Sequence, residues 1–215
     1  MADACCGATQ NFDGATPAYK RTLKVIIVIN LVMFFVELAG GLSSGSMALL
    51  ADSLDFLADS TTYTISLIVI GMPLAVRAKA GLFKGLSLFA IAAWVLGSTF
   101  YRVFSGGVPE AITMGAVGFA AFAANFICAL LLLKFKDGDS NVRSVWLCSR
   151  NDAIGNLAVI VAASGIAATN SAWPDLLVAV IMASLFINSA VKIVTQSLRE
   201  LAAENAAASA MPKQK

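Results

Sequence analysis

The chain has 215 residues, of which 59% are hydrophobic and only 13% charged, and its formal net charge is +2. A soluble globular domain carries about 25% charged residues, so the composition excludes an ordinary water-soluble domain and points to lipid as the solvent. The few basic residues are scattered among short polar segments, which gives no basis for a nucleic-acid partner.

In chain order, residues 1–20 come first and hold Asp3 and Asp13 without an apolar core, so a cleaved signal peptide is not expected. They also carry the adjacent pair Cys5 and Cys6, a geometry poorly suited to a mutual bridge. Six apolar runs follow and predict helices over about 22–42, 47–72, 81–104, 111–134, 142–169 and 174–197, each long enough for a bilayer. Turn chemistry separates them: Ser43-Ser44-Gly45-Ser46, Pro73, Gly106-Gly107 with Pro109, Asp137-Gly138-Asp139, and Asn170 through Pro174. Lys20, Arg21, Arg77, Lys79, Lys84, Lys134, Lys136, Arg143, Lys192 and Arg199 all fall on one set of ends, and the opposite loops hold no Lys or Arg. The positive-inside rule places both termini in the cytoplasm. The expected fold is therefore all-α, an integral membrane bundle of six transmembrane helices. Residues 1–20 form a cytoplasmic N-terminal segment, 21–199 the transmembrane domain and 200–215 a short cytoplasmic tail. The plasma membrane, in a bacterium the inner one, is the expected location.

The second predicted helix contains acids that lipid penalises. Asp52, Asp55 and Asp59 lie within about 60° of one another on a helical wheel, and Thr62 and Ser66 continue the stripe. One acid near a helix centre costs about 2.5–3.5 kcal/mol on insertion scales, so three on one face require a function or a compensating environment. The alternatives are a stripe facing a solvated vestibule or one paired with a neighbour's basic groups.

The fifth predicted helix carries a matching stripe in Cys148, Asp152 and Asn156, spaced i, i+4, i+8. Two helices that each present two donors one turn apart can enclose one ion in four-coordinate geometry, the arrangement zinc prefers. Carboxylates alone suit hard cations, whereas a thiolate shifts preference toward zinc and cadmium. A dication also offsets the mutual repulsion of the acids. Taken alone, Cys148 reads as an inert buried thiol; its place one turn from Asp152 favours the ligand reading.

Glu37 in the first helix and Asn125 in the fourth are also costly in lipid, and either line a vestibule or bond across helices. Arg150 points away from the Cys148–Asp152 face and is expected to snorkel to the interface or to pair with an acid. Cys5 and Cys6 read either as a handle passing a soft ion to the site or as incidental residues of a short terminus.

These features together resemble the cation diffusion facilitator family of divalent-metal transporters over about residues 20–200. The family's second helix carries His- or Asp-x3-Asp, matched by Asp55 and Asp59, with Asp52 where zinc-transporting members often have a further Asp. Its fifth helix carries the same spacing, matched by Cys148 and Asp152 ahead of Ala153-Ile154-Gly155-Asn156. Val142-Arg143 and Trp173-Pro174-Asp175 are similar too. Three departures stand out: a cysteine at the fifth-helix ligand position, no counterpart to the family's C-terminal cytoplasmic domain, and no histidine anywhere. The resemblance implies a short version of a zinc transporter, with cadmium as a further substrate, moving metal out of the cytoplasm in exchange for protons. It assigns Asp55, Asp59, Cys148 and Asp152 as metal ligands, and leaves Asp52, Asn156, Glu37, Cys5 and Cys6 as secondary or access-path groups. It also implies a homodimer, for which Gly81, Gly85 and Gly97 of the third helix are the candidate contact. Zn2+ or Cd2+ enters as transported substrate and no cofactor is expected. An intramembrane hydrolase is disfavoured because no histidine base, glycine-flanked catalytic aspartate or metalloprotease helix motif is present. The remaining rival is a metal sensor or assembly subunit that binds without flux.

Overall fold

The computed structural model describes residues 16–69, 74–136 and 140–210. They form six long helices: α1 Pro17–Ser44, α2 Met47–Val69, α3 Leu74–Ser105, α4 Ala111–Leu132, α5 Ser140–Thr169 and α6 Trp173–Ala210. A single 3-10 turn, Leu133–Phe135, extends α4, and there is no strand among the described residues. Five helical stretches, belonging to α1, α3, α4, α5 and α6, are long and apolar enough to cross a membrane. Helix α2 has the length but carries Asp52, Asp55 and Asp59. Large side chains such as Val28, Phe35, Phe83, Phe100, Phe119 and Leu177 project from the surface. That is the pattern of a bundle whose exterior faces hydrocarbon rather than water.

Three helix boundaries differ from the hydropathy reading. Helix α1 starts at Pro17, where the Thr16 hydroxyl accepts from the Tyr19 amide at 3.3 Å and proline occupies the first turn. That position is where a missing N–H costs nothing. Helix α3 begins at Leu74, directly after Pro73, and so includes Arg77 and Lys79 in its first turns. Helix α6 runs on to Ala210 because Leu201–Ala210 is dominated by alanine, the strongest helix former. Apolarity marks where lipid ends, not where a helix ends.

The three loops without Lys or Arg gather at one end of the bundle. The Glu110 amide donates to the Ser44 carbonyl at 2.9 Å, and Arg102 Nη2 donates to the Gly45 carbonyl at 3.0 Å. Gly45 ends α1 in the left-handed region, φ 71°, which a side chain would strain. The Glu110 carboxylate caps α4 by accepting from the amides of Ile112 and Thr113 at 3.0 and 2.7 Å. The Thr113 hydroxyl first, and then those amide bonds, hold its carboxyl below the ordinary glutamate range.

The helices associate as three close pairs, α1 with α2, α3 with α6, and α4 with α5, and α1 also packs on α4. Small residues make the approaches possible. A Cβ on Gly40 would meet Val117 of α4 at 2.9 Å, and one on Gly41 would meet Leu50 of α2 at 2.8 Å. On Gly85 it would meet Val194 of α6 at 2.5 Å. Close backbone approach through glycine is the usual route to helix association in lipid, where apolar surface gains nothing by leaving the solvent. Gly81 likewise faces Ser197, so two of the three α3 glycines read as dimer contacts are used within the chain, and only Gly97 is open.

Candidate metal site and the acids beside it

The buried side of α1 runs through Tyr19, Leu23, Ile26, Asn30, Met33, Glu37, Gly40, Gly41 and Ser44. Steps of three and four residues keep one stripe inward along the whole helix, and that stripe delivers Glu37 to the α1–α2 contact. Asp52 stands opposite on α2, and both side chains are buried. Asn156 of α5 donates to Asp52 through its side-chain amide, and Asn125 of α4 donates to the Asn156 carbonyl oxygen at 3.0 Å. Helices α4, α5 and α2 are thus joined by one buried polar chain, with Glu37 of α1 beside it. Of the two alternatives for Asn125, a vestibule lining or a bond across helices, the bond is present, and Asn156 is buried.

One and two turns further along α2, Asp55 and Asp59 are partly buried and face Asp152 of α5, also partly buried. The Asp152 carboxyl interacts with both α2 carboxyls at hydrogen-bonding range. Asp59 is further engaged by the Tyr63 hydroxyl, which donates to it, and lies in the field of Lys84 on α3. Thr62 is partly buried on the same side, whereas the side chain of Ser66 lies outside the described residues. No three His, Cys, Asp or Glu side chains among the described residues converge to hold an ion by themselves. Cys148 belongs to α5, but its side chain lies outside the described residues, and Cys5 and Cys6 lie outside them altogether. Arg150 is exposed, stacks over the Trp146 ring at 5.2 Å and donates to the Asn151 side chain at 3.1 Å rather than to an acid.

Three features went unread in the sequence. Asp175, in the first turn of α6, caps α2 across helices. It accepts from the Ser46 hydroxyl at 2.6 Å and from the amides of Met47 and Ala48 at 2.7 and 3.0 Å. Tyr63 belongs with Asp59, a link hinted at only by the i, i+4 spacing. The buried Cys128 of α4 lies within the electrostatic reach of Asp59. No one-dimensional signal brings that thiol to that acid.

A row of acids shared by two helices, inside a bundle whose outside is apolar, defines an integral membrane protein with an acidic interior. The family profile of the cation efflux transmembrane domain matches residues 23–72 and 76–202. The chain belongs to that family, the cation diffusion facilitators, and is a multi-pass protein of the inner (plasma) membrane. It is 26% identical over 175 residues to the metal cation efflux system protein CzcD of Cupriavidus metallidurans, covering 76% of this chain and 55% of that protein. It is 26% identical over 195 residues to the zinc transporter ZitB of Pectobacterium atrosepticum, covering 85% and 61%. It is 25% identical over 207 residues to a cadmium, cobalt and zinc/H(+)-K(+) antiporter of Bacillus velezensis, covering 89% and 66%. The chain thus spans between about half and two thirds of the length of these relatives.

Proposed function

We propose that the protein exports divalent transition-metal ions, zinc first and cadmium also, from the cytoplasm in exchange for protons. Asp55 and Asp59 of α2 and Cys148 and Asp152 of α5 are the ligands, and α2 is the sixth span, with its acids turned to the path of the ion. Both termini lie in the cytoplasm, a reading supported by the gathering of Lys and Arg on one set of helix ends and their absence from the opposite loops. The protein acts as a homodimer through its membrane helices. The observation that carries this reading is the meeting of Asp152 with Asp55 and Asp59 across two helices, where lipid would otherwise expel all three. The names of the relatives, which include zinc, cadmium and cobalt carriers and an H(+)-linked antiporter, support the same substrates. Carboxylates and thiolate bind metal only when deprotonated, so loading releases protons and protonation releases metal. Transport of zinc, cadmium, cobalt and manganese into proteoliposomes, with and without a pH gradient, tests the proposal. Asp152→Ala is expected to abolish flux, while Cys148→His keeps zinc and weakens cadmium. Unchanged flux in Asp152→Ala would remove the ligand assignment, and binding without any flux would make the protein a sensor.

A further inference from the structure

Glu37 is fully buried, and neither of its carboxyl oxygens finds a hydrogen-bond donor. Its neighbour is another carboxyl: it meets Asp52 within hydrogen-bonding reach. Two carboxylates have no hydrogen to share, and a buried charge without a partner costs several kcal/mol. Asp52 is committed on its other side, where the Asn156 amide donates to it, and Asn156 is held in turn by Asn125. A donor is therefore missing at one position, between Glu37 and Asp52. The smallest group that supplies it is a proton.

We infer that Glu37 and Asp52 form a proton-binding pair where α1, α2 and α5 meet, separate from the metal ligands. The proton sits on Glu37 and is donated to Asp52, whose bond from the Asn156 amide suits the carboxylate, which makes the contact a charge-assisted O–H to O− bond, among the strong ones. The asparagine chain from α4 fixes the orientation of Asp52, since its amide hydrogens can only donate to that acid. The charged groups acting on the pair are few. Asp55 of α2 reaches both members, and Asp152 of α5 reaches Asp52. From α4 the pair is faced by the neutral Asn125, through Asn156. Both influential groups belong to the proposed metal site and are acids, so any charge they set beside the shared proton is negative. A dication bound there would reverse the sign of that field and favour its release. The pair thereby senses metal without touching it, a step that rests on the transport reading, whereas the existence of the proton does not.

Infrared spectroscopy of the protein in lipid bilayers, free of metal and at neutral pH, tests the pair directly. The chain has four glutamates, Glu37, Glu110, Glu200 and Glu204. Of these, Glu110 is exposed and caps a helix as the carboxylate, and Glu200 accepts from Gln196 near the end of α6. Labelling glutamate alone with carbon-13 is expected to shift a carbonyl band of a protonated carboxyl in the wild-type chain. The shifted band should disappear in Glu37→Gln and in Asp52→Asn, where the new amide supplies the hydrogen. Absence of any label-sensitive protonated band in the wild type overturns the inference, and no mutation is needed for that result. Persistence of the band in a folded Glu37→Gln protein overturns it as well. Added zinc is then expected to remove the band from the wild type and to leave it in Asp152→Ala. Should zinc leave it unchanged in a protein that binds zinc, the sensing step fails while the pair stands. Should the wild type bind no zinc, the transport reading fails instead.

Discussion

Asp175→Ala removes the acceptor that caps the start of α2, and its cost can be worked from three contacts. The Ser46 hydroxyl at 2.6 Å and the amides of Met47 and Ala48 at 2.7 and 3.0 Å all donate to the buried carboxylate. Each buried donor left without a partner costs about 1–3 kcal/mol. At the low end of that range for each of the three, the sum is about 3 kcal/mol. The carboxylate also faces the positive end of the α2 dipole, adding about 0.3–1 kcal/mol. A total stability of about 5–15 kcal/mol makes this a large fraction. Thermal unfolding in detergent, followed by tryptophan fluorescence, should show the loss, and amide exchange at Met47 and Ala48 should quicken first. Asp175→Asn keeps one oxygen acceptor but turns amide hydrogens toward N–H donors, so it should fall between wild type and alanine. A change below about 0.5 kcal/mol in Asp175→Ala, the range of an inconsequential surface substitution, with unaltered exchange, would refute the view that α6 holds α2 at this end.

Gly85→Ala should destabilise by about 1–3 kcal/mol, because its Cβ meets Val194 at 2.5 Å and the Ala190 carbonyl at 3.3 Å. Gly97→Ala, with nothing within 4 Å, should be neutral or stabilising by up to about 1 kcal/mol, and the pair of melting curves separates packing from helix propensity. Tyr63→Phe removes one hydrogen bond to Asp59, worth about 1 kcal/mol, and should change zinc affinity measured by calorimetry by about fivefold. Glu110 has a folded-state value below its ordinary one, so its contribution to α4 is complete above the ordinary glutamate value and is lost as pH falls through the folded one. Exchange at the Ile112 and Thr113 amides should therefore rise only in acid, and Glu110→Gln should flatten that dependence.

The acids of α2 were legible because lipid makes an intramembrane carboxyl conspicuous, and helical spacing alone puts Asp52, Asp55 and Asp59 on one face. Their division of labour was not. Asp52 engages Glu37 and Asn156, while Asp55 and Asp59 engage Asp152. Nothing in the pattern of α2 separates the first acid from the other two, because the difference lies in what α1 and α5 bring opposite each. Asp175 was invisible as a cap for the same reason: a lone acid in a first turn reads as serving its own helix, yet it serves α2, 127 to 129 positions away in the chain.

What the amino-acid order settles by itself is solvent and length: apolar runs matched to a bilayer, and helix as the form that satisfies the backbone there. It also marks the residues lipid should not tolerate. Tertiary structure alone decides which helices lie side by side, as α1 with α2 and α3 with α6, and hence which polar groups meet. The reason is energetic. Exposure to lipid is a property each segment has alone, whereas association in lipid depends on close packing at glycines such as Gly41 and Gly85 and on hydrogen bonds between partners that exist only once the helices are together.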